Sequence, residues 1–243
     1  MDGLELAGRF SYITNALGYC GPDCAYEKFL EYVKGNKNTD DIEKALKRFE
    51  GLFPYLNAIA KKTGKKFTDY SVVEAYWIGN SLLDEFTDED IKEIIFQLTQ
   101  RGLPESIGKR LIDNLPRGFV PHHNFNVFYV GVGRTSGKVE TTLQNMDNCR
   151  ISWGKIAEIY GETIIVLANQ LKFSDGKYYL GEEEPRTAVY IKEMLPNLKK
   201  GDYVALHWGF APMVLDERQL ENLKRYSNRT LDVMNASNKN DKQ

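Results

Sequence analysis

The side chains best suited to bind a metal or carry a reaction are few in this chain: three cysteines and three histidines in 243 residues. They are Cys20, Cys24, Cys149, His122, His123 and His207. Thiolates and imidazoles are both ligands of transition metals, and both also serve in nucleophilic or acid–base catalysis. Three cysteines are too few for a disulfide framework, so we interpret them as core residues, nucleophiles or metal ligands.

Cys20 and Cys24 stand on either side of Gly-Pro-Asp, a sequence that is typical of a helix start. Cys24 is expected in the first helical turn, where free backbone N–H groups stabilise a thiolate. A metal site or a redox pair would suit this arrangement, although C-x-x-x-C differs from the C-x-x-C spacing of common zinc and thioredoxin-like sites. The alternative is that both cysteines pack inward at an ordinary helix start.

His122 and His123 directly precede residues 124–130, a run rich in strand-forming side chains. In an extended segment, adjacent side chains point to opposite faces, so one histidine can be a ligand while its neighbour is not. The site hypothesis requires that one of them approach a cysteine; otherwise both belong to a solvent-exposed loop. Glu74, on an otherwise apolar helix, is interpreted as a metal ligand or a buried base. The more common alternatives are that it is the partner that caps a neighbouring element or that it reaches solvent at the edge.

Hydrophobic spacing predicts an α+β protein in which an N-terminal α-helical bundle precedes a small β-barrel with a C-terminal helix. Residues 1–118 have helical periodicity, enough for six or seven helices of a bundle domain. Residues 119–148 are predicted to form a connecting strand and a short helix, with the helix at residues 138–146. Residues 149–234 read as short, closely spaced strands and a final helix, which is typical of a closed or nearly closed barrel. The polar residues 235–243 are predicted to be a disordered tail.

The predicted strands cover residues 155–160, 163–167, 178–180, 187–191 and 202–208. Turns are expected at Gly161-Glu162 and at Asp175-Gly176. The acidic run Glu182-Glu183-Glu184 is interpreted as a solvated loop. Cys149 is expected to begin the first strand and His207 to lie in a late one, so that closure of the barrel would bring the two side chains together.

Two stretches of this second half resemble the HypC/HupF family of hydrogenase-assembly chaperones. Residues 149–156 read Cys-Arg-Ile-Ser-Trp-Gly-Lys-Ile, and the family begins with Cys, followed after a few residues by Pro-Gly-Lys and an aliphatic residue. Residues 201–211 read Gly-Asp-Tyr-Val-Ala-Leu-His-Trp-Gly-Phe-Ala, close to the family's Gly-Asp-Tyr-Val-x-x-His-x-Gly-Phe-Ala. The resemblance extends from Cys149 to Tyr226.

This resemblance implies an oligonucleotide-binding-like (OB-like) barrel whose relatives carry iron with cyanide and carbon monoxide ligands. Those relatives bind a scaffold maturation protein and the large subunit of nickel–iron hydrogenase. Their functional cysteine and histidine correspond to Cys149 and His207. Two positions depart from the family: Cys149 lies inside the chain instead of at the mature N-terminus, and Trp153 replaces a proline. The alternative interpretation is a small buried cysteine and a hydrogen-bonded core histidine.

The leading hypothesis is therefore an accessory factor in metalloenzyme maturation, with nickel–iron hydrogenase as the enzyme that the resemblance implies. It would bind a maturation partner or the hydrogenase large subunit, and an iron fragment through Cys149 with His207. One alternative is a metal- or thiol-dependent enzyme with its site between the helical and barrel domains, using Cys20, Cys24, His122 and His123. Another is an interaction protein that uses the barrel without a metal. No catalytic residue is assigned.

Composition and missing motifs argue against other classes. The net charge is −2 and both signs are interleaved, so no nucleic-acid partner is expected. The sequence has no P-loop, no G-x-G-x-x-G after a strand and no G-x-S-x-G, so no nucleotide cofactor is predicted. No apolar run approaches the roughly 18 residues of a membrane span. The N-terminus also lacks the pattern of a secretory signal, so we expect a cytoplasmic protein.

Overall fold

Helices dominate the first half of the chain. The structure, a computed structural model, describes residues 1–237, and residues 238–243 lie outside this described part. The helices that precede residue 118 are α1 (Gly3–Ala16), α2 (Ala25–Val33), α3 (Thr39–Lys47), α4 (Phe53–Thr63), α5 (Tyr70–Trp77), α6 (Asp88–Thr99) and α7 (Glu105–Asp113). A 3₁₀ turn, Ser81–Glu85, separates α5 from α6. These seven α-helices agree with the predicted number.

Local sequence signals explain where several of these helices begin. At α6 the backbone N–H of Asp90 donates to Thr87 Oγ1 (3.3 Å), and the backbone N–H of Thr87 donates to Asp90 Oδ2 (2.9 Å). This reciprocal pair satisfies two N–H groups that a helix N-terminus otherwise leaves free. At α2 the prediction needs correction: Cys24 is the residue before the helix, with a left-handed φ of 56°, and is not in the first helical turn.

The strand predicted at residues 124–130 is wrong. This segment is helical: α8 (His123–Phe125) continues directly into a π-helix, Asn126–Gly131. Its apolar side chains are buried on several sides, and a short, continuously apolar run has no periodicity that separates a strand from a buried helix. Tertiary packing therefore overrides the strand propensity of its valines and aromatic residues.

The short helix that follows begins later than predicted and ends on a candidate ligand. Helix α9 spans Leu143–Cys149, and Thr142 caps it, because its Oγ1 accepts from the backbone N–H of Asn145 at 3.2 Å. The prediction placed this helix at residues 138–146 and Cys149 at the start of a strand. Cys149 instead terminates a helix, since the chain becomes extended only at Arg150, with ψ of 141°.

One antiparallel sheet follows α9 and establishes the α+β class. Its strands are β1 (Ser152–Tyr160), β2 (Thr163–Ser174), β3 (Lys177–Val189), β4 (Tyr203–Leu206) and β5 (Val214–Leu215), in the order β3-β2-β1-β4-β5. The predicted turns are confirmed, and Asp175 and Gly176 both have positive φ, as a two-residue type I′ hairpin requires. Residues 182–184 were predicted as a loop but lie within β3, because β2 and β3 form one long hairpin.

The hydrogen-bonded order of the sheet is open, with β3 at one edge and β5 at the other. An isolated bridge nevertheless joins the end of β3 to the segment after β4. The backbone N–H of Val189 donates to the carbonyl of Gly209, and that of Ala211 donates to the carbonyl of Val189, both at 2.8 Å. The sheet therefore curves around an apolar cluster that includes Val166 and Phe210.

The last helix connects the sheet to the helical half. Helix α10 spans Glu217–Ser237, so the predicted tail begins too early: residues 235–237 are helical, and the remainder lies outside the described residues. One apolar core contains residues from both halves, including Phe10, Tyr76, Trp153 and Tyr226. The predicted domain limits stay a prediction. In residues 1–237, no helix has both the length and the apolar character that crossing a membrane requires.

Candidate metal centre

Three buried side chains from distant parts of the chain converge: His123 of α8, Cys149 at the end of α9 and His207 directly after β4. Cys149 Sγ lies 3.7 Å from His123 Nε2 and 3.9 Å from His207 Nε2. The three candidate ligand atoms all lie within 4.8 Å of one another. We call these residues the HCH cluster. The structure brings Cys149 and His207 together as expected, whereas His123 joins them through the helical conformation of α8.

A backbone carbonyl fixes the tautomer of His207. Its Nδ1 lies 3.0 Å from the carbonyl oxygen of Phe10 in α1. A carbonyl oxygen can only accept, so Nδ1 carries the hydrogen and donates it. The lone pair therefore sits on Nε2, the nitrogen that faces Cys149. A histidine held by such an Nδ1–H···O=C bond is oriented as metal-ligating histidines usually are.

Tyr76 of α5 can orient His123 in the same way, with the lone pair on Nε2. The Tyr76 hydroxyl lies 2.9 Å from His123 Nδ1 and donates to the Gly51 carbonyl at 3.1 Å. In the tautomer with hydrogen on Nδ1, His123 donates to Tyr76, and the Nε2 lone pair is free for a metal. In the other tautomer, Nε2–H donates to the carbonyl oxygen of Cys149 at 3.0 Å. Metal binding would therefore select the first tautomer.

The position of Cys149 is fixed through its neighbours in the chain. The side-chain oxygen of Asn124, the residue after His123, accepts from the backbone N–H of Ile151 at 2.8 Å. The Asn124 amide donates to the Ile151 carbonyl at 3.2 Å and to Ser227 Oγ at 2.9 Å. This two-way clamp joins α8, the start of β1 and α10, and it holds His123 and Cys149 next to each other.

Burial keeps all three groups of the HCH cluster neutral at pH 7. Burial lowers the pKa of His207 to about 4. It also lowers the pKa of His123 well below its usual value, and the neighbouring His207 lowers the pKa of His123 further. Burial also raises the pKa of the Cys149 thiol. A metal that binds here must displace the thiol proton, so its affinity is expected to rise with pH.

The distances between Cys149 Sγ and the two histidine Nε2 atoms fit a transition metal. With metal–sulfur bonds of about 2.3 Å, metal–nitrogen bonds of about 2.0–2.1 Å and a tetrahedral angle, the sulfur and nitrogen ligand atoms are about 3.6 Å apart. The observed separations of 3.7 and 3.9 Å are close to this value. One thiolate and two imidazoles suit zinc, copper, iron or nickel and leave at least one coordination position for another ligand.

A cavity of about 50 Å³ lies beside the HCH cluster. One water needs about 10–15 Å³ in the same measure, so a metal with small ligands fits here. The rings of Tyr76 and Trp77 form one wall, and Trp77 lies 4.6 Å from the His123 ring and 5.5 Å from the His207 ring. None of the described residues that line the cavity is Asp, Glu, Lys or Arg.

The other candidate ligands, Cys20, Cys24 and His122, do not belong to the HCH cluster. Cys20 is half-buried and lines the same cavity, and burial raises its pKa to about 12. Cys24 is exposed and does not line that cavity. His122 is buried but faces away: its ring stacks near Tyr226 of α10, 6.2 Å between centroids, and its Nδ1 accepts from the backbone N–H of Asn124. The sequence-predicted set of two cysteines and two histidines thus does not converge on one point.

Glu74 connects α5 to α10. Its carboxylate is 4% exposed and accepts from Arg218 Nη2 at 2.8 Å, from the Gln219 amide at 3.1 Å and from the Asn80 amide at 3.1 Å. Among the earlier interpretations, the partner of a neighbouring element is therefore the one that the contacts support. Burial alone would raise the pKa of Glu74, but the three donors together hold it below its usual value.

We expect Glu74→Gln to reduce the acid sensitivity of the fold. A carboxyl whose pKa is lower in the folded than in the unfolded state stabilises the fold above its ordinary pKa of 4.5, and loses this effect as pH falls through the folded pKa. Urea unfolding from pH 7 to pH 3 should show a shallower loss of unfolding free energy below pH 4.5 in the variant. In Glu89→Gln, which alters an exposed carboxylate, the loss should match the wild type. Equal slopes in Glu74→Gln and wild type would contradict the prediction.

Sequence reasoning missed several residues around the HCH cluster. The orienting role of Tyr76, the aromatic wall of Trp77 and the contact of Trp208 with Cys149 all depend on long-range packing. A usable signal existed only for Trp208, which stands between His207 and Gly209 in the conspicuous stretch 201–211.

Comparison with known proteins gives one family. The model of DUF6390, described as a family of unknown function, matches residues 1–241. No curated protein and no solved structure matches the chain.

Proposed function

The chain belongs to DUF6390, a family of unknown function, and we propose from its candidate metal centre that it is an accessory factor in metalloenzyme maturation. Its cargo is an iron fragment held by Cys149, His207 and His123. The enzyme that it serves is nickel–iron hydrogenase, and its partners are hydrogenase-maturation proteins or the hydrogenase large subunit. The observation that carries the proposal is the 3.7–3.9 Å contact of one thiol with two imidazoles inside a cavity.

The charge of the cavity favours a metal that brings its own anionic ligands. A divalent ion bound by one thiolate and two neutral imidazoles keeps a net charge of about +1, and the described lining residues supply no carboxylate to neutralise it. An uncompensated charge in a low-dielectric interior costs several kcal/mol. Anionic ligands such as cyanide remove this cost. An iron fragment that arrives with such ligands therefore fits better than a bare divalent ion.

The curved sheet supports the HypC-like, OB-like barrel that the resemblance implies. In the proposal, β1 to β5 form this barrel, and the backbone bonds between Val189 and residues 209–211 close the gap between its edges. The residues of the HypC-like stretch, from Tyr203 to Ala211, then run from β4 through His207 into that closure. Helix α8 adds His123, while α1 contacts His207 through Phe10 and α5 contacts His123 through Tyr76. A thiol site of this kind needs a reducing compartment, which favours the cytoplasm.

The test is iron analysis and infrared spectroscopy on protein purified without oxygen from its native host. We expect about one iron per chain, infrared bands from cyanide or carbon monoxide, and hydrogenase-maturation proteins in the same fractions. Cys149→Ala should lose the iron and the bands, whereas Cys24→Ala, which changes an exposed cysteine outside the cavity, should keep both. Wild-type protein without iron and without such partners would overturn the proposal.

The second candidate function is a thiol-dependent enzyme that uses Cys20 with His123. The observation that favours it is that both side chains line one cavity. In that case Cys20→Ser would abolish an activity while the iron content of the protein stays unchanged. Loss of iron in Cys149→Ala with no effect of Cys20→Ser would leave the maturation factor as the better explanation.

A further inference from the structure

Trp208 is held next to Cys149 by an unusual backbone conformation. Its φ is +51°, a region that residues with a Cβ rarely adopt, and Gly209 follows it at +68°. The backbone N–H of Trp208 donates to the carbonyl of Asn148 at 2.6 Å. Because Asn148 precedes Cys149, this bond connects the segment after β4 with the end of α9. The loop conformation thus places the indole ring against the thiol.

The indole N–H of Trp208 is a buried donor without an acceptor. The ring packs on Tyr19, with centroids 4.6 Å apart, and belongs to the apolar cluster that contains Cys149 and Met146. Its Nε1 atom is inaccessible to solvent and has no hydrogen-bond partner within residues 1–237. Buried donors are nearly always paired, so an unpaired one next to a candidate site suggests an acceptor that forms with another state of the site.

Cys149 can provide that acceptor. Trp208 and Cys149 line the same cavity, and the backbone bond to Asn148 holds the indole against the cluster that contains the thiol. A neutral thiol is a weak acceptor, whereas a thiolate is a strong one. A thiolate bound to a metal would therefore supply the acceptor that the indole N–H lacks.

We propose that Trp208 is a positioning residue of the metal centre, whose indole N–H donates to the Cys149 thiolate of the metal-bound form. This inference rests on the proposed function, since it needs a metal at the HCH cluster. The hydrogen bond holds Sγ towards the two imidazoles and withdraws charge from sulfur. Outer contacts of this kind typically change metal affinity by about 10- to 100-fold.

The test is anaerobic Co²⁺ binding to wild type, Trp208→Phe and Trp153→Phe. Trp153 is the control, because its indole is also packed inside the protein but lies in β1 beneath the Lys224 amine and does not line the cavity. In Trp208→Phe we expect the thiolate-to-cobalt absorption band to move to longer wavelength and the affinity to fall by about 10-fold. Trp153→Phe should leave the band in place. An unshifted band in Trp208→Phe would overturn the role of Trp208 but not the metal centre. A wild type without any thiolate-to-cobalt band would overturn the metal centre itself.

A measurement on the wild type covers the case in which Trp208→Phe does not fold. In ¹⁵N-labelled protein the indole proton of Trp208, assigned through its contacts with Tyr19, should move downfield when Zn²⁺ is added. The indole proton of Trp153 should not move. Equal behaviour of the two indole protons in zinc-loaded protein would contradict the hydrogen bond.

Discussion

Replacing His123 by alanine should lower the affinity of the protein for Co²⁺ by about two to three orders of magnitude. Structural zinc sites with four ligands bind with about 10–16 kcal/mol, so one ligand contributes about 2.5–4 kcal/mol. Each 1.4 kcal/mol is a factor of ten in the dissociation constant. The measurement is competition of wild type and variant against a chelator of known affinity, at constant pH and without oxygen.

His122→Ala is the matched control for His123→Ala. Both histidines are buried and adjacent, and both substitutions remove the same atoms from the interior. Only His123 presents a nitrogen to Cys149, at 3.7 Å, while His122 contacts Asn124 and Tyr226. His122→Ala should therefore lower stability with little change in Co²⁺ affinity. Similar dissociation constants for the two variants would show that His123 is not a ligand.

The difference between His122 and His123 depends on the fold and cannot be predicted from the sequence. The sequence indicates the adjacent histidines as a candidate site if one of them approaches a cysteine. Which histidine meets Cys149, however, depends on residues 123–131 being helical. The strand-forming composition of that segment predicts the opposite, because propensity cannot register that the segment is buried within the fold.

Features with a local cause were predicted best. The hairpin turn at Asp175-Gly176 and the helical periodicity before residue 118 depend on neighbours in the sequence, and both are present. The resemblance of residues 149–156 and 201–211 to one family brought Cys149 and His207 into one hypothesis, and the structure places them 3.9 Å apart. Long-range partners, such as the Phe10 carbonyl that orients His207, leave no trace in local sequence.

A buried charge network near the HCH cluster combines local and long-range contacts. Asp147 and Arg150 are three residues apart at the end of α9, and both side chains are 2% exposed. Asp147 Oδ1 accepts from Arg150 Nε at 3.0 Å and from the backbone N–H of Leu171 at 2.9 Å, and its Oδ2 lies 3.0 Å from Arg186 Nη2. Asp147 thereby attaches α9, which ends with Cys149, to β2 and β3.

Asp147→Ala should lower the free energy of unfolding by about 3–5 kcal/mol, because it leaves the Arg150 charge buried without its partner. The unpaired N–H of Leu171 adds to this loss. Glu184→Ala is the matched control: it breaks the Lys172–Glu184 pair across β2 and β3, whose side chains are 40% and 54% exposed, and should cost less than about 1 kcal/mol. Urea unfolding at pH 7 measures both values. An equal loss of unfolding free energy in Asp147→Ala and Glu184→Ala would show that the charge network does not attach α9 to the sheet. The position of Cys149 would then depend on the hydrogen bonds of Asn124.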